Sequence, residues 1–272
     1  MRTLIRRGAL VLATAVAACA QGVAAPPAPL PAALAEGVSC DGGALAPGGF
    51  IAFAGWRVGA ESAWGWAQAL AGRSRVAVQG LRCAVRGPQD SRYREEDVNT
   101  ATLARHLIGL PVAAAGTTSG RIVVVAHSSG AFVAQRWLRQ LREQGAPGLA
   151  LLARIEYHNL DGDIGSGERE LDAGLIAAMA SVQAVYAVDG AGGESANAAA
   201  MRALHALAPQ RVRMRVLRAE PGACAPATEP GARWCLHQTL ITPRPSRRAG
   251  FDVQADYAGA AAGAAQSAWL VD

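Results

Sequence analysis

The chain contains no lysine: all 26 of its basic side chains are arginine. Charge of either sign is scarce, at 17% of 272 residues, and aromatics make up 5%, whereas 51% of the residues are hydrophobic. So little charge beside so much apolar surface excludes a disordered chain or an acidic tail protein. The missing lysine, set against abundant alanine, reads as coding bias rather than as function. There is no basic stripe with interleaved aromatics, so nucleic acid is not an expected partner. Beyond the first twenty or so residues no apolar run approaches the ~20 residues that a membrane helix needs; the run from Ala258 to Ala265 is alanine and glycine only. Cysteine is limited to five residues, and none forms the C-x-x-C pair of a structural zinc site. No internal repeat is present. A length of 272 residues suits one large α/β domain or two small ones, with a core that needs neither metal nor disulfide to be stable.

What the chain does have begins with an export leader. Arg2, Arg6 and Arg7 precede a short apolar stretch from Ala9 to Ala18, the order of a signal peptide. Two endings are open. Ala18-Cys19-Ala20 fits a signal-peptidase site, while Val16-Ala17-Ala18-Cys19 resembles a bacterial lipobox in which Cys19 becomes a lipidated N-terminus. Arg6-Arg7 has poor flanks for a twin-arginine signal. Without the three leader arginines the net charge falls from +5 to +2. The expected organisation is a signal over residues 1–24, a Pro/Ala-rich tether over 25–39 that contains Pro26-Pro27-Ala28-Pro29-Leu30-Pro31, and a domain over 40–272. Destinations consistent with this are the periplasm, the outer membrane through a lipid on Cys19, or the medium. An oxidising compartment leaves Cys40, Cys83, Cys224 and Cys235 as an even set. Three connectivities exist, and locality favours Cys40–Cys83 with Cys224–Cys235.

The remaining pattern alternates strands and helices. Strand signals lie at Phe50–Ala54, Arg75–Val78, Ile122–Val125, Arg154–Tyr157, Val182–Val188 and Arg211–Leu217. Helix signals lie at Ser62–Ala71, from Asn99 or Thr100 to Ile108, and at Gly130–Glu143, Leu171–Ala180 and Ala198–Leu207. The β-branched run Ile122-Val123-Val124-Val125 is the mark of a strand buried on both faces. In Gly130–Glu143 the residues Phe132, Val133, Trp137, Leu138 and Leu141 point inward, and Gly145 with Pro147 stops the helix. Arg211 to Leu217 alternates arginine with apolar residues, as a half-exposed strand near a sheet edge does. Strands separated by helices imply right-handed crossovers and a mostly parallel sheet covered on both faces.

The chemistry concentrates where the buried strand meets the amphipathic helix, at Ala126-His127-Ser128-Ser129-Gly130. Small residues two before and two after Ser128 allow a sharp turn that brings strand and helix close. The pentapeptide resembles the nucleophile elbow G-x-S-x-G of the α/β-hydrolase superfamily, with Ala126 in the first glycine's place. The resemblance runs from about Gly49 to Trp269 as an order of elements. It implies an α/β-hydrolase fold with Ser128 as nucleophile and the Ser129 N–H as an oxyanion donor. Phe53-Ala54-Gly55-Trp56 resembles the superfamily's His-Gly-x turn, which makes the Trp56 N–H the second donor; the alternative for Trp56 is a surface aromatic. The Asp-x-x-Gly pattern frequent in the family is replaced by Gln79-Gly80-Leu81-Arg82.

A serine hydroxyl needs a base, and the base needs an orienting carboxylate. Among five histidines, His127 on the elbow is expected to point away from the active face, and His106 and His205 sit within helices. His158 ends a strand. His237 follows the last strand, where the superfamily places its base on a loop. The acid is Asp189 after the strand Val182–Val188, or Asp161 after the strand before it, with Glu194 and Asp163 behind both. Only one helix fits between Asp161 and Val182, so no large lid domain is expected. Together with the export leader, the resemblance implies an exported serine hydrolase, expected as a monomer, that takes a small-molecule or lipid-like ester through Ser128, His237 and Asp189, with a thioester or amide as neighbouring possibilities. No metal or organic cofactor is implied, and any membrane contact is through a lipid on Cys19. Trp64, Trp66 and Trp137 either line a pocket or pack the core. The rival class is a non-catalytic envelope binding protein that keeps the fold, which predicts a broken triad or an occluded Ser128.

Overall fold

The computed structural model describes residues 29–42, 45, 48–71, 80–89, 99–110, 120–162, 164, 171–188, 196–218 and 237. Its centre is an eight-stranded sheet. In chain order the strands are β1 (Ala33–Ala35), β2 (Val38–Asp41), β3 (Gly49–Phe53), β4 (Leu81–Val85), β5 (Ile122–His127), β6 (Ile155–Leu160), β7 (Ser181–Val188) and β8 (Val212–Arg218). The helices are α1 (Ala60–Ala71), α2 (Thr100–Gly109), α3 (Gly130–Glu143), α4 (Ala146–Leu152), α5 (Ala173–Ala178) and α6 (Ala196–Leu207). The strands lie side by side in the order β1-β2-β4-β3-β5-β6-β7-β8. Only the β1–β2 and β2–β4 pairs are antiparallel; every pair from β4 onward is parallel. This is the α/β class expected of the chain.

The two faces of the sheet are read from alternate residues. Ile51, Phe53, Val124, Ala126, Ile155, Tyr157 and Val182 join one apolar cluster with Trp137, Leu138 and Leu141 of α3 and Leu175 of α5. Phe50, Ala52, Val123 and Val125 are equally buried but lie outside that cluster. α1 packs against β3 and β4 and buries Ala63, Trp64 and Ala67. Trp64 and Trp137 are thus core residues rather than pocket walls.

Several elements differ from expectation for identifiable reasons. Residues 33–39, expected in the tether, belong to the β1–β2 hairpin, which runs on to Asp41 and is closed at Gly37 with φ 71°. Their alternation was too short to stand out from an alanine-rich background. β4 follows α1 at Leu81–Val85, whereas the strand expected at Arg75–Val78 lies outside the described residues. Pro147 does end α3, but it also opens α4, where its missing N–H costs nothing. Phe132 is half-buried under the Arg136 guanidinium, 4.7 Å from its ring centre, rather than fully inward. Asn99 caps α2 by accepting from the Thr102 N–H at 3.0 Å, as its position suggested. The β6–β7 connection spans residues 161–180, and among its described residues α5 is the one helix; twenty residues leave no room for a separate lid domain.

Cys40 and Cys83 face each other directly across β2 and β4, with Cα atoms 4.1 Å apart, and are joined as a disulfide. Cys224 and Cys235 lie outside the described residues. The bridge closes 43 residues of sequence, so replacing both cysteines by alanine is expected to cost about 2–4 kcal/mol. The check is a lower urea midpoint for the double variant, with peptide mapping that links Cys40 to Cys83 in the unreduced wild-type protein. No helix among the described residues is long and apolar enough to cross a membrane.

Candidate active site

Two adjacent parallel strands end in residues with left-handed backbone. β5 runs into Ser128 at φ 55°, and β6 into Asp161 at φ 48°. The sheet holds both turns: the Ser128 N–H donates to the Leu160 carbonyl at 3.2 Å, and the Asp161 N–H to the Val185 carbonyl at 2.7 Å. After Ser128 the chain enters α3 at once, with the Ala131 N–H donating back to the Ser128 carbonyl at 3.0 Å. Gly130 must be glycine here. A Cβ at that position would run into the Ala54 and Phe53 carbonyl oxygens, the latter only 2.5 Å away. The Asp161 turn is fastened from below by buried Asn159, whose Oδ1 accepts from the Gly162 N–H at 2.7 Å.

The loop after β3 lies against the elbow. A Cβ on Gly55 would sit 3.1 Å from both Ser128 Cβ and His127 Nδ1. Along this loop the Arg57 N–H donates to the Pro88 carbonyl (2.9 Å) and the Val58 N–H to the Gly55 carbonyl (3.1 Å). The N–H groups of Trp56 and Ser129 donate to no acceptor among the described residues. Trp56 itself is 44% exposed, with the Arg57 guanidinium 4.5 Å over its ring. Ser128 is half-buried and so reachable from solvent, whereas Ser129 is buried.

His237 is buried beside these strand ends, and its Nδ1 lies 2.6 Å from Asp161 Oδ2. A carboxylate accepts, so Nδ1 carries the proton and Nε2 is left with a lone pair. The carboxylate brought to His237 is therefore that of Asp161. Asp189, favoured on strand order, lies outside the described residues, as do Glu194 and Asp163. Among the described residues no hydrogen bond joins Ser128 Oγ to the His237 ring, a contact that in ligand-free sites often tightens only when substrate binds.

The other histidines have different surroundings. His158 is fully buried, with Nε2 2.7 Å from Glu156 Oε1, and His205 Nδ1 lies 2.7 Å from the Val212 carbonyl. His127 does not point away from the site. Its Nε2 lies 3.0 Å from the His237 carbonyl oxygen, and the two rings are 4.4 Å apart between centres. The Trp66 ring of α1 meets it edge-on at 6.3 Å. The alternation that sends the side chain before an elbow serine off the active face does not anticipate a segment 110 residues later folding over that side.

Burial, followed by the charge of the adjacent His237 ring, pushes His127 down to about 3; the hydrogen bond to the His237 carbonyl opposes this too weakly to win. The unfolded chain titrates this histidine near 6.5, so between about pH 6.5 and 3 the unfolded state binds the extra proton. Stability therefore falls as pH is lowered through that window, by roughly 1.4 kcal/mol per pH unit from this residue alone. Denaturant midpoints measured from pH 7 to 4 should show the slope in the wild type and a flatter one in His127→Gln.

No set of three or more His, Cys, Asp or Glu side chains that could hold a metal occurs among the described residues. No family profile and no curated protein matches the chain. Among solved structures it is similar to a dienelactone hydrolase-like promiscuous phosphotriesterase from metagenomic libraries, at 14% identity and a TM-score of 0.35, covering 67% of this chain and 77% of that one. It is also similar to a dienelactone hydrolase from Anabaena variabilis, at 13% identity and a TM-score of 0.33, covering 78% of this chain and 94% of that one. Likeness at this level says nothing of substrate.

Proposed function

We propose that the protein is a serine hydrolase that cleaves acyl esters through Ser128, His237 and Asp161. The observation that carries this reading is the buried His237–Asp161 pair at 2.6 Å, set beside the strand end whose left-handed apex is Ser128. Asp161 takes the role that strand order had favoured for Asp189.

In this mechanism His237 Nε2 accepts the Ser128 hydroxyl proton as Oγ adds to the ester carbonyl. Asp161 keeps the proton on Nδ1 and stabilises the imidazolium that forms. The N–H groups of Ser129 and Trp56, without other acceptors among the described residues, stabilise the oxyanion of the tetrahedral intermediate. The imidazolium then protonates the departing alcohol, leaving an acyl group on Ser128. Water, deprotonated by the same nitrogen, adds to that acyl carbon, and the acid and free serine are released. Nothing in these steps calls for a metal or organic cofactor.

The accessible Ser128 favours this reading over a non-catalytic binding protein, for which an occluded serine was expected. Ester over thioester or amide remains part of the proposal, as does export, which rests on the leader sequence. The test is a fluorophosphonate probe, which needs an activated serine and no knowledge of the substrate. Labelling that maps to Ser128 and vanishes in folded Ser128→Ala is expected; unlabelled, folded wild-type protein would overturn the proposal.

A further inference from the structure

We infer that His127 is a positioning residue for the base: its Nε2–H holds the main chain of His237 while its ring backs the His237 imidazole, so the elbow that carries the nucleophile also props up its partner. The inference rests on the reading of Ser128, His237 and Asp161 as a triad.

The geometry fixes the proton on His127. The atom 3.0 Å from its Nε2 is a carbonyl oxygen, which only accepts, so Nε2 is the protonated nitrogen. Nδ1 is buried with no hydrogen-bond partner among the described residues and packed against the backbone at Gly55, where an added Cβ would come within 3.1 Å. A proton there would be a buried donor with nothing to bind. The ring is thus held neutral in one tautomer, in agreement with its pKa being pushed down to about 3. Two imidazoles 4.4 Å apart do not readily carry charge together. Burial denies the charge to His127, while Asp161 Oδ2 lies 2.6 Å from His237 Nδ1.

Two of the contacts that hold His237 are of different kinds. Asp161 grips the ring at Nδ1, which by itself leaves the imidazole free to swing about that bond. His127 grips the backbone carbonyl of the same residue and lies against the ring, which removes the swing. Since His127 immediately precedes Ser128 in the chain, a shift of the elbow carries nucleophile and base together. An aliphatic residue at position 127 would fill the space but leave the His237 carbonyl without its donor.

The experiment compares His127→Phe, which keeps a flat ring and loses the donor, with His127→Gln, whose amide reaches about as far as Nε2. The readouts are kcat and KM on a short-chain aryl ester, the rate of fluorophosphonate labelling, and the low-field proton resonance of the His237–Asp161 hydrogen bond. Circular dichroism verifies folding. His127→Phe should lower kcat and the labelling rate by about 10- to 100-fold with KM within about twofold, and broaden the low-field resonance. His127→Gln should recover most of the loss and the resonance. A folded His127→Phe with wild-type kcat and an intact resonance overturns the inference. Should the Phe variant not fold, a His127→Gln variant that folds but stays 10-fold or more slow overturns it equally. Failure of the underlying reading has a separate signature: wild-type protein that is not labelled at Ser128, which removes the inference with it.

Discussion

Ser128→Ala is expected to remove ester hydrolysis by a factor of about 10³ or more in kcat, with the fold intact and KM little changed. The hydroxyl is the only atom lost, and it is the atom that forms the acyl bond, so the loss falls on the chemical step rather than on binding. Its neighbours stay in place: the Ser128 amide still donates to the Leu160 carbonyl, and α3 still starts from the Ser128 carbonyl. Residual activity would come from the Ser129 and Trp56 amides and from binding alone, as when one member of a triad is removed. Steady-state kinetics with a short-chain aryl ester, paired with a melting curve, decides the matter. A folded Ser128→Ala protein that turns over at the wild-type rate would end the serine-hydrolase reading.

Asp161→Asn is expected to cost about 10³- to 10⁴-fold in kcat at nearly constant KM. The amide has the shape of the carboxylate but no charge, and it can present a donor where Nδ1–H needs an acceptor. The His237 ring is then free to settle in the wrong tautomer, and the imidazolium formed in the transition state loses its counter-charge. Asparagine is among the residues that tolerate left-handed backbone, so the φ of 48° is preserved and the loss is not one of folding. Asp189→Asn is the control and should stay within a few-fold of wild type. The reverse pattern, a dead Asp189→Asn beside an active Asp161→Asn, would transfer the acid while leaving Ser128 and His237 in their roles.

Most of the sheet was legible because its signals are local. The Ile122–Val125 run sits inside β5, Gly130–Glu143 is α3 at both ends, and Asn99 caps α2. Arg213 and Arg215 of the arginine alternation lie in β8, which ends the sheet order. The β1–β2 hairpin was illegible because its two strands, three and four residues long, carry no distinctive period in their small or ordinary side chains. The choice between Asp161 and Asp189 was open for a different reason. Both follow strands and both precede glycine, so turn chemistry looks the same at each. What separates them is the spatial path of the chain that delivers His237, a separation of 76 residues from Asp161 about which neither neighbourhood carries information. The same holds for His127, whose position beside Ser128 was plain and whose partner was not.

The left-handed backbone at Ser128 and Asp161 has a consequence for the apolar core beneath them. Conformations of this kind on residues with a Cβ each cost of the order of 1–3 kcal/mol and persist only when their surroundings over-determine them. Two together are comparable with a sizeable part of the 5–15 kcal/mol that keeps a typical domain folded. The restraint comes from the register of β5, β6 and β7 and from the apolar layer under them, in which Trp137 and Tyr157 are fully buried. A cavity opened in that layer would let the two turns relax toward ordinary backbone angles before the domain unfolds. On the serine-hydrolase reading, activity is then the first property to respond to damage in this core, and the hydrolytic rate becomes a more sensitive gauge of packing than the melting temperature.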